Sequence, residues 1–185
     1  KTGQTVQIYP TEVQSKVRGL QVHGQQVVEA ETGMRTAVNF QGIDRERVSR
    51  GDVLSTPGML TPSYMLDVYF EYLEGNARAL KNRAAVRVYA GTGEFLGNII
   101  LLDRDELLPG ETAPVQLRLK SPVVCVRDDR IVVRSASPIR TIGGGRVLNP
   151  VPPKHRRYRQ ALAEAMEKLS TGSLEEVILF QCRQA

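Results

Sequence analysis

The sequence predicts a mainly β protein: a small barrel incomplete at its front edge, then a closed barrel or sandwich, then a short helical segment. Three observations carry this. Tryptophan is absent and aromatics make up 5% of the 185 residues against 41% apolar content, so the cores must be built from Val, Leu and Ile, which favour strands. Short alternating apolar runs recur along the chain, punctuated by glycine and proline. Only after Pro150, Pro152 and Pro153 does the apolar period become helical.

In order, Val6 and Ile8 alternate with polar neighbours until Pro10. Val13 and Val17 lead into Gly19, where the alternation changes phase as it does at a bulge. Leu20 and Val22 continue the strand, and Gly24 precedes Val27-Val28. The clearest strand runs from Met34 to Gln41, with Met34, Thr36, Val38 and Phe40 on one face and Arg35, Ala37, Asn39 and Gln41 on the other. Asp44 is placed to cap a single helical turn through Arg47, and Arg50-Gly51-Asp52 turns the chain into Val53-Leu54. The partition expected is residues 1–57 for the first barrel, 58–62 for a Pro/Gly linker, 63–150 for the second barrel and 151–185 for the start of a helical arm.

In the second region Leu66, Val68, Phe70 and Tyr72 alternate with Asp67, Tyr69 and Glu71. Further strands are expected at 85–89, 95–102 and 115–119, then a hairpin over 123–134 around Asp128-Asp129, then 139–148 interrupted by Gly143-Gly144-Gly145. Gly91-Thr92-Gly93 reads as a hairpin turn. Beyond the prolines, Tyr158, Leu162, Met166 and Leu169 fall on one helical face. Ser170-Thr171-Gly172 breaks that helix, and Ser173-Leu174-Glu175-Glu176 has the form of a capping box opening another. Both ends read as cuts through a longer protein.

The formal charge is +5, and without Lys154, Arg156, Arg157 and Arg159 it falls to +1, so the basic character is concentrated at one junction. An anionic partner fits such a stretch. Cys125 and Cys182 lie far apart and outside any C-x-x-C, which suggests neither zinc nor a disulfide framework, and a cytoplasmic setting is expected. No run of about 20 apolar residues is present, so no membrane partner is expected. Asp103 and Asp105 share a loop without a nearby histidine, and no acid–base site is expected there.

Several stretches resemble a known family. Asp44-Arg45-Glu46-Arg47-Val48 followed by Arg50-Gly51-Asp52-Val53-Leu54 is similar to the end of the second domain in translational GTPases of the elongation factor Tu type. Ser137-Pro138-Ile139-Arg140-Thr141-Ile142, running through the three glycines to Arg146-Val147-Leu148, resembles the closing strand of the third domain in bacterial selenocysteine-specific translation elongation factors. Arg18-Gly19-Leu20-Gln21-Val22-His23-Gly24 and Leu101-Leu102-Asp103-Arg104-Asp105-Glu106-Leu107 fit the same family. The resemblance covers nearly the whole chain and implies two consecutive barrels of the domain II and domain III type, then the start of a winged-helix arm.

The resemblance implies a GTP-dependent factor that delivers selenocysteinyl-tRNA to the ribosome at recoded UGA codons, its arm holding a messenger-RNA hairpin. GTP and magnesium would belong to another domain. No G-x-x-x-x-G-K-[ST] or N-K-x-D-like motif occurs in these 185 residues, so no cofactor and no catalytic residue is expected in them.

By position in the family, Gln21 and His23 match the loop near the terminal adenosine and Arg35 lines the amino-acid pocket. Elongation factor Tu usually has an acidic residue where Gln21 stands. A selenol ionises far more readily than a hydroxyl, so a fixed cation beside the pocket would favour selenocysteine over serine through a charge-assisted contact. The other reading of Arg35 is an exposed arginine on a sheet edge, and of His23 a plain turn residue. Arg78, Lys81, Asn82 and Arg83 match a region that grips the tRNA backbone, or are a solvated loop. Arg140, Arg146 and the three glycines lie beside that surface in the family, the glycines serving a phosphate or an ordinary bulge. The run of Lys154, Arg156, Arg157 and Arg159, expected to open the tail helix, is an RNA contact or a solvated hinge.

Overall fold

The structure is a computed structural model and describes residues 1–171; the expected capping box at Ser173–Glu176 and Cys182 lie outside the described residues. The described chain forms two compact units, the first Lys1–Thr61 and the second beginning at Pro62.

The first unit holds five antiparallel strands: β1 (Thr5–Tyr9), β2 (Val13–Val22), β3 (Gln25–Val27), β4 (Thr36–Phe40) and β5 (Val53–Ser55). They lie in the order β3-β2-β1-β5, and β4 also pairs with β2. The long strand β2 does two jobs. Its first half pairs with β1, and its second half runs between β3 and β4. The change comes at Gly19, where the register with β4 shifts and the buried series moves from Ser15 and Val17 to Leu20 and Val22, the bulge expected from the phase change. Val6, Val17 and Leu20 form a small core against Val27, Ala30, Val38 and Phe40. The single helical turn is present as a 3-10 turn at Arg45–Arg47, but the Asp44 side chain makes no capping bond; its backbone carbonyl accepts from Arg47 N–H instead (3.0 Å).

The second unit contains β6 (Ser63–Tyr72), β7 (Leu80–Lys81), β8 (Ala85–Ala90), β9 (Gly93–Leu101), β10 (Glu106–Leu107), β11 (Thr112–Val123), β12 (Arg130–Ser135), β13 (Thr141–Asn149) and the helix α1 (Gln160–Thr171). Six of these strands close a barrel in the order β11-β6-β13-β12-β8-β9, and β7 and β10 form a separate ribbon. The interior is filled by Leu66, Val68, Phe70, Val88, Ile99, Val115, Leu117 and Val133, all fully buried. The turn at Gly91 joins β8 to β9 as a hairpin.

The expected hairpin over 123–134 does not form. Both edges of β11 are occupied, by β6 and β9, so β12 pairs with β8 and β13. The Asp128-Asp129 turn bonds to β13 as well, through Asp128 N–H to the Val147 carbonyl (2.8 Å) and Val147 N–H to the Asp129 carbonyl (2.9 Å).

The three glycines of β13 sit inside the barrel wall, paired with β6 on one side and β12 on the other. A Cβ at Gly143 would stand 2.5 Å from the Phe70 ring, one at Gly145 2.8 Å from the Val68 side chain, and one at Gly144 2.8 Å from the Ile131 carbonyl. Close strand approach requires them.

Outside the barrel, Ile100, Leu102 and Leu148 make a second core with Met166 and Leu169 of α1, supported by Tyr69 and Leu162. Tyr158 does not join this face. It precedes the helix in a positive-φ conformation (60°) and is 58% exposed.

Candidate functional site

In the first unit β2 turns into β3 through His23-Gly24, both at positive φ (51° and 80°), the geometry of a type I′ hairpin. The cross-strand pairs Gln21↔Ala37 and Val22↔Thr36 set the start of β4 beside this turn. Val22 points into the core while Gln21, His23 and Arg35 are exposed. The result is an open cleft of about 490 Å³ lined by Gln21, His23, Gly24, Arg35, Thr36 and Ala37. The three residues singled out in the sequence thus share one cleft. No ion pair holds the Arg35 guanidinium among the described residues, which leaves its planar donors for a ligand. A neighbouring cleft of about 620 Å³ shares Gln21 and Ala37 and extends over Arg18, Leu20 and Val38.

The polar and basic residues singled out in the second unit divide into those with internal work and those without. Asn82 accepts from Leu101 N–H through its side-chain oxygen (3.1 Å), fixing the β7–β8 connection. Lys81 faces Glu106 at 3.9 Å, and Arg146 faces Asp128 at 3.3 Å. Arg78 is exposed, and its carbonyl accepts from the Tyr72 hydroxyl (2.8 Å). Arg83 is exposed at positive φ (64°). Arg140 is exposed in a turn whose amides and carbonyls bond to Ser135.

The basic run does not open the tail helix, since α1 begins at Gln160. It lies in the segment before it. Arg157 is spent there: its Nε donates to the Leu101 carbonyl (2.8 Å), and Nη2 donates to the Arg104 carbonyl and to Asp105 (2.7 Å). This hydrogen bond, with a weaker one from Tyr158, holds the Asp105 carboxyl below its ordinary value and raises Arg157 above its own. Lys154, Arg156 and Arg159 remain exposed.

A buried polar network went unread in the sequence. Asp67, in the outward series of β6, is 3% exposed. Its carboxylate meets His155 Nε2 at 2.7 Å and accepts from the Gln116 side-chain amide at 3.0 Å. Gln116, opposite Asp67 on β11, also donates to the Pro153 carbonyl (2.9 Å), and its oxygen accepts from Arg118 Nε (3.0 Å) and His155 N–H (3.3 Å). Arg118 Nη2 donates to the His155 carbonyl (3.0 Å). Burial raises the Asp67 carboxyl above its ordinary value, against the opposing pull of His155, Gln116 and Arg118. The network latches the 153–157 segment to the barrel wall. Its one signal in the sequence is the acidic residue within an otherwise packed strand.

No phosphate-loop sequence is present in the 185 residues, and among the described residues no group of three or more His, Cys, Asp or Glu could hold a metal ion. Burial pushes the Cys125 thiol up to about 12, which makes it a poor nucleophile. No helix among the described residues is long and apolar enough to cross a membrane.

Comparison with known proteins bears on the family and the fold. Residues 71–154 match the family model described as selenocysteine-specific elongation factor, beta-barrel domain. The chain is 42% identical over all 185 residues to the selenocysteine-specific elongation factor of Desulfomicrobium baculatum and spans 29% of that protein's length. In fold it is similar to the translation elongation factor SelB of Methanococcus maripaludis, solved in its apo form, with a TM-score of 0.73 at 20% identity, covering 83% of this chain and 36% of that one. The resemblance drawn from the sequence motifs is borne out.

Proposed function

Similar along its whole length to a selenocysteine-specific elongation factor, this chain is, we propose, the part of such a factor that holds the charged tRNA. Residues 1–57 act as a partial second-domain barrel, 63–150 as the third-domain barrel, and 151–185 as the beginning of a winged-helix arm. GTP binding with magnesium and its hydrolysis belong to a domain outside these residues. So does the messenger-RNA hairpin site, which lies in the remainder of the arm. The working place is the cytoplasm, on the ribosome at a recoded UGA.

The observation that carries the reading is the cleft shared by Gln21, His23 and Arg35. The aminoacyl end enters beside the His23-Gly24 turn, with Gln21 toward the terminal adenosine. The selenolate of the amino acid meets the Arg35 guanidinium, a permanent cation that needs no protonation step. Serine offers only a neutral hydroxyl. A charge-assisted hydrogen bond is worth roughly 1.5–3 kcal/mol, or about 10- to 150-fold in selectivity. The exposed cations of the second unit contact phosphates and position the RNA without reading its sequence.

The test is protection of the aminoacyl ester. In the full-length protein, spontaneous hydrolysis of selenocysteinyl-tRNA is expected to slow strongly, that of seryl-tRNA with the same body to slow little, and Arg35→Ala to erase the difference. Equal protection of both esters would leave a general elongation factor. Protection of neither would leave a barrel that binds no tRNA.

A further inference from the structure

A segment that joins a barrel to a following helix is ordinarily a swivel, because unbonded residues keep many φ/ψ states open. Residues 150–159 are built otherwise. Pro150, Pro152 and Pro153 each fix a φ angle, Pro152 is buried, and the Asn149 side chain accepts from Val151 N–H (3.1 Å). The chain is then fastened to the barrel at two places. Gln116 makes the first seat with every bonding position of its amide: it donates to Asp67 and to the Pro153 carbonyl, and its oxygen accepts from Arg118 Nε and His155 N–H. A flipped amide would set donors against Arg118 and His155 N–H and its oxygen against Asp67 and the Pro153 carbonyl, so one seating of the segment satisfies it. Arg157 makes the second, on the connection between β9 and β10, where Tyr158 N–H also donates to the Leu102 carbonyl (2.6 Å).

The helix that follows is held at its far end as well. Arg127, in the turn before β12, donates through Nη1 to the Leu148 carbonyl (3.0 Å) on β13 and through Nη2 to the Leu169 carbonyl (2.9 Å) in the last turn of α1. So close to the end of α1, that carbonyl has no N–H four residues ahead within the helix to accept from. A guanidinium there supplies the donor and meets the negative end of the helix dipole. One planar fork thus bridges the last strand of the barrel to the helix, which the point charge of a lysine would not do. Between the two ends, Leu162, Met166 and Leu169 close on Ile100, Leu102 and Leu148.

We propose that Arg127 and Arg157 are two clasps which, with the Gln116 seat, carry α1 as a rigid bracket on the second barrel, so that the barrel and whatever follows α1 turn as one body. The restraints bear on β6 and β11, on the β9–β10 connection and on β13, which fixes the direction of the helix and not only its distance. This rests on the reading that residues 151–185 begin an arm, and adds that the arm sets out from the barrel in one direction. Both arginines are positioning residues and touch no ligand.

The bracket is tested without RNA, so it can fail while the tRNA-holding reading stands, and ester protection can fail while the bracket stands. In the full-length protein, spin labels are attached at Arg130→Cys on β12 and Ala161→Cys on α1, both exposed positions, with Cys182→Ser and any other accessible thiol removed; Cys125 is buried. Pulsed electron spin resonance is expected to give one narrow distance distribution in the wild-type background. Arg127→Ala and Arg157→Ala, neither of which opens the barrel core, should each broaden it. Each should also raise amide exchange in α1 about tenfold, the equivalent of one lost charge-assisted bond, while β6 and β8 keep their wild-type rates. Arg127→Lys, which keeps the charge and loses the fork, should behave as Arg127→Ala.

A broad distribution in the wild-type background overturns the bracket. A narrow one that persists in both alanine variants overturns the clasps and leaves the apolar seat to hold the helix. Exchange that rises equally in β6 and β8 overturns the positioning role and makes the two arginines part of the barrel's own stability.

Discussion

The two units dispose of their side chains in opposite ways. The second closes six strands around a core of fully buried side chains, and its outer wall is then used again, by α1 through Ile100, Leu102 and Leu148 and by the 153–157 segment through Asp67 and Gln116. The first holds a five-stranded sheet centred on β2 and buries a small cluster around Val6, Val17 and Leu20. Its cation at the strand end, Arg35, has no ion-pair partner among the described residues, whereas Arg157 and Arg146 of the second unit have theirs. A basic residue therefore says little until its internal partners are known. What distinguishes a ligand-facing arginine from a fastening one is whether the fold has already used its donors.

The largest effect that could break this contrast is in the cores. Leu117→Ala, at a fully buried position, is expected to cost about 4 kcal/mol, and Leu20→Ala, beside the larger cleft of the first unit, only about 2. Urea unfolding followed by hydrogen exchange in each unit measures both; equal costs would mean the first unit is as tightly packed as the second. Next come the glycines. Gly143→Ala forces a methyl against the Phe70 ring and the Glu71 carbonyl and should cost about 1–3 kcal/mol. Gly19→Ala, whose Cβ would meet nothing within 4 Å, should change stability by no more than about 0.5 kcal/mol.

Smaller and more specific is the pH dependence at Asp67. Its folded carboxyl titrates above the ordinary 3.8, so between those two values the folded state binds more protons than the unfolded one. Its contribution to stability therefore falls as pH rises through that window. Asp67→Asn removes the slope, and urea midpoints of the two proteins should diverge over that interval, the wild type losing ground toward higher pH. Parallel curves would place Asp67 in a wetter setting than its burial implies. The smallest effect is at Asp105, held low first by its hydrogen bond from Arg157. Its stabilisation is present above the unfolded value and is lost as pH falls through the folded one. Carboxyl titration by NMR should show Asp105 returning toward 3.8 in Arg157→Ala.

Much of this was legible in the chain. The alternation of β4, the phase change at Gly19 and the Gly91 hairpin are encoded by neighbours a few residues apart, and the structure keeps them. Gln21, His23 and Arg35 could be grouped because the family resemblance supplied a geometry that spacing alone lacks. The hairpin over 123–134 was misread for a nonlocal reason: Asp128-Asp129 has hairpin chemistry, but both edges of β11 were already taken. The latch goes unread for the same reason, its one local signal being the acidic Asp67 itself. Asp67 sits among residues expected to face solvent, and the histidine that covers it is 88 positions away. The basic run of residues 154–159 was legible as a run, but its division into a fastened Arg157 and exposed neighbours depends on where Leu101 and Asp105 lie.

The central claim is that a fixed cation in the first unit reads the charge of the amino acid. The direct measurement is the ratio of affinities for selenocysteinyl-tRNA and seryl-tRNA at neutral pH and again below the ionisation of the selenol, for the wild type and Arg35→Ala. The account predicts a ratio of about 10 to 150 at neutral pH that collapses toward unity in acid and in the variant at either pH. A ratio that survives both acid and the substitution would show that the cleft selects by shape, with Arg35 no more than an exposed residue beside it.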